Sequence, residues 1–340
     1  MQPTGHLRGD AVRVGGDARQ RFHDSGGYGR PLGGDEIALS RGEAAHLLFR
    51  GDLDAVDGAG FRTFLAAQSA GFTARFLVYA DLRDRGFYLA PDRQPWWSDP
   101  GDGDFVVFPR GKGPDDGVVK HRVRVVDERA TLPEAELDDV VLAVVDEESE
   151  LTYLELSRPS ISGSSLHDIP DGVAGDLLAD RVLVTDPPTA LHERAFYGQR
   201  MDDGSPHLQL SLVEGAYLAG LGVLDVDGGQ GELAARGRAV EGDRFDRRLR
   251  AYSALRTAGV VPKTGFKFGA DFRTYANVES VDDLGHSELL VRVLPPESVF
   301  SPIDLALDVR LAHGVRKRMV YALTGADAGI EWLSVARLTP

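Results

Sequence analysis

Tyr275, His286 and Lys317 stand 11 and then 31 residues apart in the C-terminal quarter of the chain. Together these side-chain types supply what cleavage of RNA without a metal requires. The 2′-hydroxyl of RNA attacks its own phosphodiester if one group takes its proton, a second protonates the departing 5′-oxygen and a cation stabilises the pentacoordinate phosphorane. Histidine is a natural donor near neutral pH, and lysine is a compact charge for phosphate oxygens. A phenol ordinarily ionises near pH ~10, so a tyrosine base needs cations beside it. Taken singly, each residue also has an ordinary structural role. A strand tyrosine is usually half-buried core, a histidine after Gly285 can sit in a loop, and Arg316-Lys317-Arg318 can be a solvated basic run.

What lifts the three out of that background is that the chain is one unit written twice. DAVRV from Asp10 matches DRVLV from Asp180, Tyr28-Gly29 matches Tyr197-Gly198, and LSRGEAAHL from Leu39 matches LSLVEGAYL from Leu210. VYADLRDRG from Val78 falls on AYSALRTAG from Ala251, DFVVF from Asp104 on DFRTY from Asp271, VRVV from Val123 on VRVL from Val291, and LTYLELSR from Leu151 on IEWLSVAR from Ile330. Across the copies the apolar framework persists, while Phe108 stands opposite Tyr275, Val119 opposite His286 and Asp138 opposite Lys317. A framework needs none of those polar groups, which is the pattern of one working unit and one supporting twin.

The elements that must position them follow from periodicity and punctuation. Ser40 and Ser211, each with Glu three residues on, read as capping boxes that start helices. The second half of a unit opens with a helix carrying Tyr252 and Leu255. Short strands GFKFG and DFRTYANV are expected next, then ELLVRVL, a helix from Ser301-Pro302 to about His313, and strands RMVYALT and IEWLSVAR. Stretches around 91–104, 111–117 and 226–243, rich in Gly, Asp and Pro, read as loops, and 160–178 reads as a linker. The fold class is therefore α+β, a tandem duplication in which each unit has a small N-terminal α/β subdomain and a mixed-sheet C-terminal subdomain. The expected boundaries are 1–75, 76–165, 166–245 and 246–340.

Composition narrows the setting. The 340 residues carry a formal charge of −15 and no cysteine, which excludes disulfides, thiolate metal sites and a cysteine nucleophile. Only five of the 38 basic residues are lysine, and an acidic, lysine-poor surface suits a host with molar internal salt. Neither a signal peptide nor an apolar run of bilayer length is visible, so a cytoplasmic location is expected. The net charge alone argues against nucleic acid, but Arg310, His313, Arg316, Lys317 and Arg318 form a local basic cluster beside the three residues. His121, His167, His192 and His207 lack metal-ligand spacing, and Asp115-Asp116 and Asp282-Asp283 read as surface carboxylates, so no metal and no cofactor is expected.

DFRTYANV, LGHSELLV and VRLAHGVRKRMVYAL resemble the archaeal tRNA-splicing endonucleases in their fused, two-unit form, and the resemblance runs over essentially the whole chain. It implies a homodimer that cuts precursor tRNA at a bulge-helix-bulge, leaving 2′,3′-cyclic phosphate and 5′-hydroxyl ends. Tyr275 would be general base, His286 general acid and Lys317 the stabiliser of the phosphorane. Arg310 and Trp332 would grip a flipped bulge base, with Arg316 also on RNA. Tyr153 stands opposite Trp332, so a core role competes there, and Arg310 could instead pair with Asp304 or Asp308. The acidic turn Asp146, Glu147 and Glu148 would insert into the neighbouring subunit. Two other classes remain as alternatives: a non-catalytic RNA-binding or assembly subunit, and a metal-dependent nuclease of related fold.

Overall fold

The computed structural model describes residues 2–202, 204–295, 297–325 and 329–340. It divides into two compact units, one of residues 1–156 with 301–306 and 337–340, the other of residues 157–300 with 307–336.

Each unit begins with a small sheet, antiparallel except where Ala55–Val56 joins Thr4–Arg8 in the first unit. In the first, Ala11–Val14 pairs with Thr4–Arg8 and Glu36–Ser40; in the second, Arg181–Val184 pairs with Leu208–Ser211. The inward positions Val12, Val14, Val182 and Val184 are fully buried, which is why these short runs alternate. A helix leaves each sheet directly, Arg41–Arg50 and Leu212–Gly220. Both start on a complete capping box, Ser40 with Glu43 and Ser211 with Glu214. The long helices Phe72–Asp84 and Arg244–Thr257 then bury Tyr79 and Tyr252 against the second part of each unit.

That second part is a mixed sheet. In the second unit its strands lie in the order Val261–Thr264, Phe272–Tyr275, Leu289–Leu294, Arg318–Thr324, Ile330–Leu338. All neighbours are antiparallel except Leu289–Leu294 and Arg318–Thr324. A parallel pair needs a crossover, and the helix Pro302–Gly314 provides it. The first unit repeats the register: Phe105 pairs with Val123 as Phe272 pairs with Val291, and Val141 with Val123 as Val320 with Val291.

Two expected segments differ. GFKFG is not a strand: Phe266–Phe268 is a single 3-10 turn whose Phe266 is 86% exposed. The presumed loop 226–243 contains the helix Gly229–Glu241. Its glycines misled the composition argument, since Gly237 is there because a Cβ would lie 2.2 Å from the Phe245 ring.

Each capping-box glutamate does more than cap. Glu43 accepts N–H bonds from Ser40 and Gly29, and Glu214 accepts them from Ser211 and Gly198. Gly29 and Gly198 both have φ +63°. The copies part company in the cation. Lys263 Nζ lies 3.1 Å from Glu214, whereas the sheet register puts Ala90 at that place in the first unit. Burial lifts the Glu43 carboxyl above its ordinary 4.5, the N–H bonds offsetting it in part. In the second unit burial pushes Glu214 the same way, but Lys263 and the N–H donors outweigh it and hold the carboxyl below 4.5.

Because the folded carboxyl ionises more readily than the unfolded one, Glu214 contributes stability above pH 4.5 that is lost as pH falls through the folded value, while burial, outweighing Glu214, holds the Lys263 ammonium below its ordinary 10.5. Lys263→Ala should therefore cost about 3 kcal/mol at neutral pH, by stranding a buried carboxylate. The gap from the parent should close in acid, as paired denaturant titrations at pH 7 and pH ~4 would register.

Candidate active site at one end of the second unit's sheet

Strand direction gathers the three polar residues. Tyr275 is the last residue of its strand, and next to it Thr274 pairs with Leu289, the first residue of the antiparallel neighbour. His286 lies three positions before Leu289, on the exposed approach to that strand. Leu289 also pairs with Arg318, the start of the parallel strand, so Lys317 immediately precedes it. Glu288 links all three strands, donating its N–H to Thr274 O (2.9 Å) and accepting from Arg318 N (3.0 Å). Lys317 Nζ donates to Ser287 O at 2.9 Å, next to His286 in the chain. Tyr275, His286 and Lys317 therefore occupy one end of three adjacent strands.

Lys317 is held from behind as well. Arg316 takes a left-handed φ of +56° after the helix Pro302–Gly314, and Lys317 N donates to Ala312 O at 2.8 Å. Partial burial first, and then the nearby Arg273 guanidinium, hold the Lys317 ammonium below its ordinary 10.5. The Arg273 guanidinium also lies 5.7 Å from the centre of the Tyr275 ring.

Tyr275 is buried to 7% exposure among Phe196, Val261 and Val278. Its ring meets Phe196 edge-on at 5.8 Å. Phe196 has φ +54°, a conformation that costs a bulky residue on the order of 1–3 kcal/mol. Two cations pin it there: its carbonyl accepts from Lys263 (3.3 Å) and Arg256 (3.5 Å). The first unit has Gly27 at the matching place, φ +62°, under the ring of Tyr88, while the second has Val261 in the Tyr88 position. The aromatic volume has moved from strand to loop, and in the second unit it backs Tyr275.

The segment expected to be a linker also belongs to this site. Ser164 N donates to Ala276 O, Ser165 Oγ accepts from Val278 N at 2.6 Å, and His167 Nε2 lies 2.8 Å from Val278 O. Gly163 passes so close that a Cβ would come within 2.5 Å of both Ala276 O and Gly259 O. Residues 163–167 thus hold the backbone that leaves Tyr275. Sequence gave no sign of this, because backbone bracing leaves no residue signature.

The twin site in the first unit is apolar: Phe108, Trp97, Val106 and Ala90 cluster, with Tyr88 and Val119 against them. One alignment changes. The loop between these strands is one residue longer in the second unit, so counting back from the paired Val123 and Val291 puts Val118 opposite His286. Copy comparison also yields a residue missed earlier: Arg273 stands where the first unit has Val106.

The remaining expected residues are dispersed. Arg310 and Arg316 are exposed, and Asp308 is engaged by Arg292 and Tyr321 rather than by Arg310. Trp332 is half-buried against the second unit's core, opposite Ala322 in the sheet. In the first unit Asp146 folds its own turn by accepting N–H bonds from Glu148 and Glu150. Glu147 lies 2.9 Å from Arg129, and Glu148 faces solvent.

Residues 245–332 match the family described as tRNA intron endonuclease, catalytic C-terminal domain. Residues 4–65 and 173–236 each match the N-terminal domain of the same family. A tRNA-splicing endonuclease of Halobacterium salinarum is 66% identical, with 99% of both chains covered. Those of Natronomonas pharaonis (60%, 99% of both) and Methanosarcina mazei (38%, 98% of both) also align end to end. Among the described residues no helix is long and apolar enough to cross a membrane.

Replacing Phe196 with glycine separates strain from positioning. The swap relieves the left-handed backbone but empties a buried ring site, a net loss of about 2 kcal/mol. RNA cleavage by Phe196→Gly should fall by about tenfold or more even where the fold is intact, as single-turnover rates well below the thermal midpoint would reveal.

Proposed function

We propose that this chain, which belongs to the tRNA intron endonuclease family, excises introns from precursor tRNA by cutting at bulge-helix-bulge sites, as a homodimer. The observation that carries the reading is the convergence of Tyr275, His286 and Lys317 on one end of three adjacent strands, with Lys317 hydrogen-bonded to the backbone beside His286. The full-length likeness to curated tRNA-splicing endonucleases supports the substrate class.

In this reading Tyr275, as phenolate, takes the proton of the 2′-hydroxyl, whose oxygen attacks the adjacent phosphorus. The phosphorane's added negative charge faces the Lys317 ammonium. His286, as imidazolium, gives its proton to the 5′-oxygen as the P–O5′ bond breaks. The products are a 2′,3′-cyclic phosphate and a 5′-hydroxyl, and base and acid end in exchanged protonation states that solvent resets. Each role is filled by a side chain, so the reaction needs no metal. Arg310, exposed on its helix, would grip a flipped bulge base, exposed Arg316 would contact the RNA, and the Asp146–Glu148 turn would serve subunit assembly.

The test is incubation with a bulge-helix-bulge precursor in high salt and EDTA. Cleavage to cyclic phosphate and 5′-hydroxyl ends is expected; uncut RNA, or 5′-phosphate ends, rejects the reading. Tyr275→Phe, His286→Ala and Lys317→Ala should each slow single-turnover cleavage by about 10²-fold or more while still binding the RNA. Full activity in any one of them removes that residue from the assignment.

A further inference from the structure

Among the described residues Arg273 is one of the half-buried guanidinium groups without an acceptor, and the one beside Tyr275. It lies on the wall of a cavity of about 560 Å³ between the N-terminal subdomain and the sheet of the second unit. The other cations on that wall are neutralised: Arg181 by Asp180, Arg248 by Glu241 and Asp271, and Lys263 by Glu214. Among the described residues the Arg273 guanidinium has no ion pair and no hydrogen bond, and its Nε is buried without a partner. Withdrawing a charged donor from water without an acceptor is costly, so the Arg273 guanidinium is left with donors that an arriving anion can take up. The first unit has Val106 at this place, the same polar-for-apolar difference that marks Tyr275 against Phe108.

Position narrows the anion. Residues 273 and 275 of a strand face the same side, and the guanidinium is 5.7 Å from the Tyr275 ring centre. Arg273 is also near enough to Lys317 to disfavour its ammonium. Arg273 pairs with Leu290, which pairs with Met319 two residues beyond Lys317, so the two cations stand on strands flanking the same neighbour, and an anion contacted by both, such as a phosphodiester becoming a phosphorane, relieves their repulsion.

We propose that Arg273 is a fourth catalytic residue, which together with Lys317 clamps the non-bridging oxygens of the phosphate being cleaved. This rests on the function proposed above, and the experiment keeps the two separable. The full chain is assayed with a cleavable precursor RNA and with the same RNA carrying a 2′-deoxy nucleotide at the cut, which binds but cannot react.

Arg273→Ala should slow single-turnover cleavage by about 10²-fold. It should also flatten the salt dependence of binding to the deoxy RNA by roughly one phosphate contact, a change of ~0.7–0.9 in log–log slope. Arg273→Lys should recover part of the rate, and guanidinium ion added to Arg273→Ala should restore activity. If the parent leaves the RNA uncut, the proposed function fails and the clamp with it. If the parent cuts and Arg273→Ala cuts within about twofold of it, or its salt slope is unchanged, the clamp alone is overturned. A rate loss that follows a lowered thermal midpoint, and that neither lysine nor guanidinium restores, assigns Arg273 to folding and likewise overturns it.

Discussion

The second unit depends on one buried carboxylate. Glu214 caps a helix through Ser211, holds the left-handed Gly198 by its N–H and receives Lys263 from the sheet. Three pieces of chain from different parts of the unit meet on two oxygen atoms, and a low-dielectric interior makes each of those bonds costly to leave unmade. Lys263 extends the arrangement by donating to the carbonyls of Phe196 and Gly198. The loop 196–198 is therefore tied to the strand that runs beside Tyr275, and the Phe196 ring rests on the Tyr275 ring as a consequence. Position passes from a helix cap to the candidate base through hydrogen bonds and a single ring contact.

The twin unit shows which parts are framework. Arg83 lies over Tyr28 at 4.0 Å as Arg256 lies over Tyr197 at 3.7 Å, and each arginine donates to the carbonyl of a matching residue, Gly26 or Ala195. Asp104 accepts the N–H of Val125 as Asp271 accepts that of Val293. The arginine contacts recur because each unit needs them to join its two subdomains, and the aspartate bonds recur because they brace the sheet itself. Phe196, Lys263, Arg273, Tyr275 and Lys317 stand opposite the first unit's Gly27, Ala90, Val106, Phe108 and Asp138, which keep one ring, at Phe108, and no cation. Where the copies differ, the second accepts unfavourable features: a phenylalanine at positive φ, a lysine ammonium withdrawn from water and an unpaired guanidinium. Such local conflicts concentrate where a structure is shaped for something besides stability.

That contrast also explains what could be read from the chain alone. Strand alternation, both capping boxes and the crossover helix followed from residue periodicity and punctuation, because short-range sterics and side-chain-to-backbone bonds decide them. Tyr275, His286 and Lys317 stood out because duplication supplied an internal reference. Arg273 and Lys263 were open to the same comparison, but arginine and lysine in strands look like solvated surface until the register shows which face they share. The linker could not be read at all. Its role lies in the N–H of Ser164, the hydroxyl of Ser165 and the absent side chain of Gly163, and small polar residues in a Ser-Gly run look alike whether they are tethered or free. Gly237 misled for a related reason, since a glycine chosen for close approach to Phe245 resembles one chosen for flexibility.

The scarcity of lysine bears on the site more directly than the charge of −15 does. A chain that uses arginine for 33 of its 38 basic residues has kept lysine at 263 and 317, and the geometry gives a reason in each case. Lys263 Nζ donates to three acceptors at once: Phe196 O, Gly198 O and Glu214 Oε1. Three donors splayed from one small centre suit that pocket, and a planar guanidinium fork, wider and fixed in shape, does not converge on three points from a single atom. Lys317 spends one donor on Ser287 O and lies 5.5 Å from the centre of the Phe268 ring, which leaves two donors of a compact charge for a phosphate. An acidic surface tuned to salt and a cationic site for RNA are thus compatible in one chain, since the first is a property of summed exposed charge and the second of a few groups held by their neighbours.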